Sequence, residues 1–190
     1  MAQSLGFYTR QELSRIGSSR ALSAPPAAVL RHYALRAGSL DHFDVFLSHS
    51  YDDAATILGI VDLLENEGLR IYVDWIVDPQ HDRTKVDRAT AENLQRRMRQ
   101  SASLIYASST SSRSSIWMPW DLGYFDGLGK QDRISIMPIV GNMPGSEGQE
   151  YLDLYPAIKK VRTDDGRIVT AAVEPRKRTF VSVKDFAGAR

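Results

Sequence analysis

The segment Phe43-Asp44-Val45-Phe46-Leu47-Ser48-His49-Ser50-Tyr51-Asp52-Asp53 passes from an apolar run into polar residues within a few positions. Phe43 to Ser48 reads as a short buried strand that runs into a polar turn. The next residues, Ala54 to Glu67, place Ile57, Ile60, Val61 and Leu64 at helical spacing, and Gly68 supplies a left-handed stop. A buried strand, a polar loop and an amphipathic helix in that order form the opening unit of a wound α/β sheet.

The same alternation continues downstream. Arg70 to Trp75 reads as a second strand and Thr84 to Gln100 as a helix with Val86, Thr90, Leu94 and Met98 on one face. Leu104 to Ala107, Ile134 to Val140 and Ile158 to Val161 read as further strands, and Trp117 to Leu128 as a helix ending at Gly129. Strands alternating with helices predict a parallel sheet of about five strands with helices on both faces, wound in the flavodoxin-like manner.

The flanks differ from this core. Thr9 is placed to cap a short helix through Ile16, with Glu12 three residues on, before Gly17, Ser18 and Ser19 break the pattern. Pro25-Pro26 opens a second apolar stretch, Ala27 to Leu35, which ends at Gly38. Residues 1–40 are therefore expected to be a helical extension, 41–162 the α/β domain and 163–190 a C-terminal extension. In that extension Arg167 to Val173 and Phe180 to Val183 have the pattern of an edge hairpin, with the basic run around Arg176 to Arg178 as a solvated loop.

Composition narrows the function. The chain has 190 residues, no cysteine, and 24 basic against 23 acidic side chains for a net charge of +1. Thiol chemistry, disulfides and cysteine-ligated metals are excluded. So balanced a charge gives no general attraction to nucleic acid or an anionic membrane. No apolar run approaches the roughly 20 residues that span a bilayer, and no secretory stretch opens the chain. A cytoplasmic location is the expectation.

Strand-to-helix loops of such a sheet gather at the carboxyl ends of the strands, where ligands bind. Two loops there are chemically loaded. One carries Ser48, His49 and Ser50; the other, Ser115-Ile116-Trp117-Met118-Pro119-Trp120-Asp121-Leu122-Gly123, delivers two tryptophans and a carboxylate to a helix start. Trp117 and Trp120 lie three apart and share a helical face. Asp121 near the helix start has either a ligand role or a plain one, helix capping or an ion pair. Trp117 is either a stacking platform or core. Of the four histidines (His32, His42, His49, His81) only His49 falls at this rim. No phosphate-binding glycine motif and no metal-ligand spacing occurs, so no metal or cofactor is expected. The loop from Asp74 to Arg83 exposes Trp75, Ile76 and Val77 beside charges, the composition of a lid or a contact surface.

These segments resemble the Toll/interleukin-1 receptor (TIR) family. Phe43 to Ser50 resembles the family's opening strand, and Gly68-Leu69-Arg70-Ile71-Tyr72-Val73-Asp74 its second strand and the start of its BB loop. Ser115 to Leu122 is similar to the family signature Ser-X-Trp-Cys-X-X-Glu-Leu. The resemblance covers about residues 42–162 and is to bacterial TIR proteins rather than animal receptor adaptors. It implies cleavage of NAD, as substrate rather than cofactor, between nicotinamide and ribose, giving ADP-ribose or a cyclic isomer in a defence or toxin role. Asp121 would be the catalytic carboxylate, with Ser48, His49, Ser50, Trp75, Trp117 and Trp120 lining the nucleotide pocket. Trp75, Ile76 and Val77 would carry an activating self-association into a homo-oligomer, alongside a TIR or effector partner protein. The sequence departs from the signature twice: Asp121 stands for the glutamate and Met118 for the cysteine. The alternative reading is a non-catalytic TIR interaction module, with another nucleotide-binding enzyme of the same fold, such as a nucleoside deoxyribosyltransferase, as a third.

Overall fold

The computed structural model describes residues 3–37, 39–50, 54–73, 88–141, 150–174 and 179–188. In chain order the elements are β1 (Gln3–Gly6), β2 (Tyr8–Thr9), α1 (Arg10–Ala21), α2 (Pro26–Ala37), β3 (Phe43–Ser48), α3 (Ala54–Asn66), β4 (Ile71–Val73) and α4 (Arg88–Arg99). There follow β5 (Ser101–Ser108), α5 (Trp117–Gly127), β6 (Ile134–Val140), β7 (Ala157–Arg162), β8 (Ile168–Val173), β9 (Phe180–Ser182) and α6 (Val183–Phe186). One-turn 310 helices occupy Thr110–Ser114, Gln131–Arg133 and Glu150–Leu154.

Successive strand side chains point to opposite faces of a sheet, and the apolar residues here sort accordingly. Val45, Leu47, Ile71, Val73, Ile105 and Met137 pack with α1, α2 and α3. Phe46, Tyr72, Leu104, Tyr106 and Ile136 pack with α4 and α5. Two cores thus enclose one sheet in the order β4-β3-β5-β6-β7-β8-β9. The pairs from β4 through β7 are parallel, and the strand order reverses between β3 and β5. This is the flavodoxin-like winding expected from the alternation, with its switch point between β3 and β5.

Local signals explain most boundaries. Gly68 adopts φ +82 after α3, and the backbone amides of Gly68 and Leu69 close on the carbonyls of Glu65 and Leu64. Asp44 ties the start of β3 to that of β4 by accepting from the Arg70 backbone amide at 2.7 Å. Thr9 and Glu12 form a complete capping box on α1, and Lys160 on β7 holds the same Glu12 at 2.7 Å.

Several elements differ from expectation. Helix α1 does not stop at Ile16 but continues through Gly17, Ser18 and Ser19 to Ala21. The glycine there is a packing residue: a Cβ on Gly17 would lie 1.9 Å from the Ala55 carbonyl oxygen, and one on Gly59 1.9 Å from that of Leu13. Strand β5 begins at Ser101, three residues early, because the hydroxyls of Ser101 and Ser103 donate to the carbonyls of Arg97 and Asp44. Among the described residues the sheet has nine strands: the five of the expected parallel core, the two of the C-terminal hairpin, and the unexpected β1 and β2. The parallel strands β6 and β7 pair at Ile136 and Ala157 and then diverge, so that β1 adds to β7 and β2 to β6. Strands β8 and β9 pair antiparallel beyond β7, which is the edge hairpin expected of the C-terminal extension. Residues 74–75 of the expected second strand and 84–87 of the expected helix lie outside the described residues. Among the described residues no helix is long and apolar enough to cross a membrane.

Candidate functional site at the sheet's switch point

Ser48 is the last residue of β3 and lies on the same face as Phe46, toward α5. Helix α5 begins where the polar loop ends: Ser115 sits two residues before Trp117, and its hydroxyl accepts from the Met118 backbone amide at 3.2 Å. Pro119 is tolerated in that first turn, where no intrahelical donor is lost. With Ser115 as the cap, Asp121 falls in the second turn and is not a capping residue. Its carboxylate points to the end of β3 instead. Ser48 Oγ donates to Asp121 Oδ2 at 2.9 Å, and both residues are buried.

Residues 73 positions apart therefore form a buried hydroxyl–carboxylate pair at the carboxyl end of β3, beside the switch point. A buried charged acceptor is expensive without donors. The pair places a hydrogen-bonded carboxyl group next to where wound α/β sheets bind ligands.

The aromatic neighbours are arranged by helical spacing. Trp117 is buried, and its ring meets Trp120 edge-to-face with centroids 5.5 Å apart. Trp120, half-buried, stacks on Tyr124 at 5.6 Å with an interplanar angle of 18°. Trp117 is thus both core and the inner end of an aromatic row. Its indole Nε1–H is buried and has no acceptor among the described residues. A buried donor in that condition calls for a partner. Tyr124 was not among the sequence candidates, although its i,i+4 spacing from Trp120 would have shown it.

His49 is buried, and its Nδ1 donates to the Ser50 carbonyl at 3.2 Å, which fixes that nitrogen as the protonated one. Ser50 is partly exposed at the rim. Asp126, the other acid of α5, faces away and accepts from the Tyr155 hydroxyl at 3.1 Å. Burial together with that carboxylate pushes the Tyr155 hydroxyl up to about 12. Structure thus brings Ser48 to Asp121 and sets Trp117 against Trp120 on the same helix, with His49 and Ser50 following Ser48 in the chain. Trp75, Ile76 and Val77 lie outside the described residues, as do 51–53 and 142–149, which follow β3 and β6 in the chain. Among the described residues no group of three or more potential metal ligands occurs.

Sheet order and switch point define a flavodoxin-like α/β domain, with a buried carboxylate of α5 at the switch point. Two relatives are similar to parts of the chain. Over 120 residues the chain is 47% identical to a Bacillus cereus (strain MSX-D12) protein named probable 3′ cyclic ADP-D-ribose synthase ThsB′, covering 62% of this chain and 61% of that protein. Over 89 residues it is 34% identical to a Cytobacillus dafuensis protein named putative cyclic ADP-D-ribose synthase TIR2, covering 46% of this chain and 24% of that protein. The chain therefore spans about three fifths of the first relative and a quarter of the second. No family model matches. The two similarities bear out the resemblance to bacterial TIR domain proteins.

Proposed function

We propose that the chain cleaves NAD between nicotinamide and ribose, with the names of both relatives favouring a cyclic ADP-ribose isomer as product. The observation that carries this reading is the buried Ser48–Asp121 pair at the switch point. Nicotinamide leaves with the electron pair of the C1′–N bond and departs neutral, so it needs no proton. Positive charge then develops on the ribose as an oxocarbenium ion. A carboxylate in a water-poor site stabilises such charge more strongly than it could in water. Asp121 takes that role, Ser48 holds its carboxylate in one orientation, and Trp117 and Trp120 supply faces and an indole N–H for the nucleotide. Attack at C1′ by water gives ADP-ribose; attack by a nucleophilic atom of the same nucleotide gives the cyclic isomer, the attacking group losing its proton.

Self-association through Trp75, Ile76 and Val77 is proposed as the activating step, on the apolar character of those side chains. Ile76→Asp should lower the mass seen by light scattering and the specific activity together; full activity from a dispersed variant would sink the coupling.

The deciding experiment is chromatography of NAD and its products after incubation with pure protein at high concentration, beside Asp121→Asn. Nicotinamide release from the parent and its loss in the variant, with unchanged circular dichroism, support the enzyme. Intact NAD in both, with assembly preserved, supports the non-catalytic TIR module.

A further inference from the structure

A second cleft lies at the opposite end of the sheet from Asp121. It has a volume of about 400 Å³ and opens between α1, α2, α3 and the start of β4. Arg70 and Asp44 mark this end, and Asp44 stands four residues before Ser48 on β3, about 13 Å along the strand. The cleft is therefore separate from the candidate site.

Its lining is unusually cationic. Arg20 comes from α1, Arg36 from α2 and Arg70 from the residue before β4, against a single acidic lining residue, Glu65. Arg20 is committed to the protein, since it bonds Glu65 at 2.6 Å and Asp62 at 3.2 Å. Arg70 touches Asp44 only at 3.4 Å through Nε, and that carboxylate already takes the Arg70 backbone amide at 2.7 Å. Arg36 has no side-chain partner among the described residues. Two guanidinium groups from separate elements thus face one concavity, with the Ser39 hydroxyl beside them. Tyr33 forms a rigid wall, its hydroxyl donating to the Ile71 carbonyl at 3.1 Å and its ring under Arg20.

We propose that this cleft binds a small organic phosphate. Guanidinium forks match phosphate oxygens in pairs. A tetrahedral phosphate accepts from donors arriving from several directions, whereas a planar carboxylate presents its two oxygens to one fork. The volume admits an organic part of nucleotide size beside the phosphate. Such a ligand would bridge α2 to the edge strand β4, joining the N-terminal helices to the sheet.

The test is thermal unfolding of the full chain with inorganic phosphate, pyrophosphate, AMP or malonate, all at constant ionic strength. AMP or pyrophosphate at ten times its Kd should raise Tm by about 3–6 °C. Malonate should give no comparable shift. Arg36→Gln should weaken phosphate binding about tenfold or more, and Arg70→Gln similarly, while Asp121→Asn leaves it unchanged. Arg36 is exposed, so its variant folds. The proposal is overturned if no phosphate compound shifts Tm, if malonate matches them, or if Arg36→Gln binds as tightly as the parent. Loss of binding in Asp121→Asn would move the ligand to the candidate active site.

Discussion

Replacing Gly17 by alanine should destabilise the chain, against the usual preference of a helix for alanine. The new Cβ would sit 1.9 Å from the Ala55 carbonyl oxygen, 2.8 Å from the Gly59 nitrogen and 2.9 Å from the Ala55 carbonyl carbon. All three are backbone atoms, so no side chain can turn aside. Carbon and oxygen need more than 3 Å, and α1 must lift from α3 by roughly an ångström, which forfeits a quarter to a half of each affected contact. Leu13 and Ala21, buried on the same helix, lose packing with it. Overpacking of this kind costs about 1–3 kcal/mol, against a propensity gain of up to about 1 kcal/mol. A net loss of about 1 kcal/mol is expected. Gly123 is the internal control: it lies exposed within α5, and a Cβ there meets nothing within 4 Å. Gly123→Ala should therefore gain about 0.5–1 kcal/mol. Urea unfolding followed by circular dichroism measures both, with the slope unchanged. If Gly17→Ala is as stable as the parent, the close crossing of α1 on α3 is wrong, and with it the integration of the N-terminal helices into the core.

Two further expectations concern the site and the arm. Ser48→Ala removes a donor from the buried Asp121 carboxylate, and should lower stability by about 1–2 kcal/mol. It should also reduce kcat for nicotinamide release about tenfold or more with KM nearly constant; unchanged kcat would leave Ser48 without a positioning role. Glu12 is drawn down in pKa: burial opposes its charge, but the hydrogen bond from Lys160 and those from the Thr9 amide and hydroxyl outweigh it. Its contribution is therefore full above the ordinary carboxylate range and disappears as pH falls through the lowered value. The difference in urea midpoint between the parent and Glu12→Gln should be widest near neutrality and close on acidification; a gap that widens in acid would contradict the Lys160 contact.

The parts legible in the sequence are those set by local pattern. Apolar runs fixed on two faces gave the five parallel strands, Gly68 and Gly129 the helix ends, and Thr9 with Glu12 the cap on α1. What escaped depends on distant partners. Gly17 looks like a break until α3 is laid against it, and Ser101 and Ser103 look like loop residues until the carbonyls of Arg97 and Asp44 take their hydroxyls. Strands β1 and β2, of four and two residues, are too short for any period and exist only because β6 and β7 diverge. At the site, the residues were visible but not their relations. Neither the Ser48–Asp121 bond nor the replacement of Asp121 by Ser115 as helix cap follows from spacing.

That bond also bears on the departure from the TIR signature. An aspartate reaches about 1.5 Å less far than a glutamate from the same backbone position, which by itself would withdraw the carboxylate from a ligand. Here the shorter side chain already meets Ser48 at 2.9 Å, with the pair enclosed. A longer acid on an unmoved α5 would overrun the hydroxyl and have to fold back or leave the contact. The shorter acid is thus matched to the distance between α5 and the end of β3. Geometry at such a site is held by the packing of its supports, and those supports are Trp117, Met118, Leu122 and Phe125, all buried on the same helix. Carboxylate length and helix position are one coupled quantity, so the aspartate alone does not argue against the proposed role of this site.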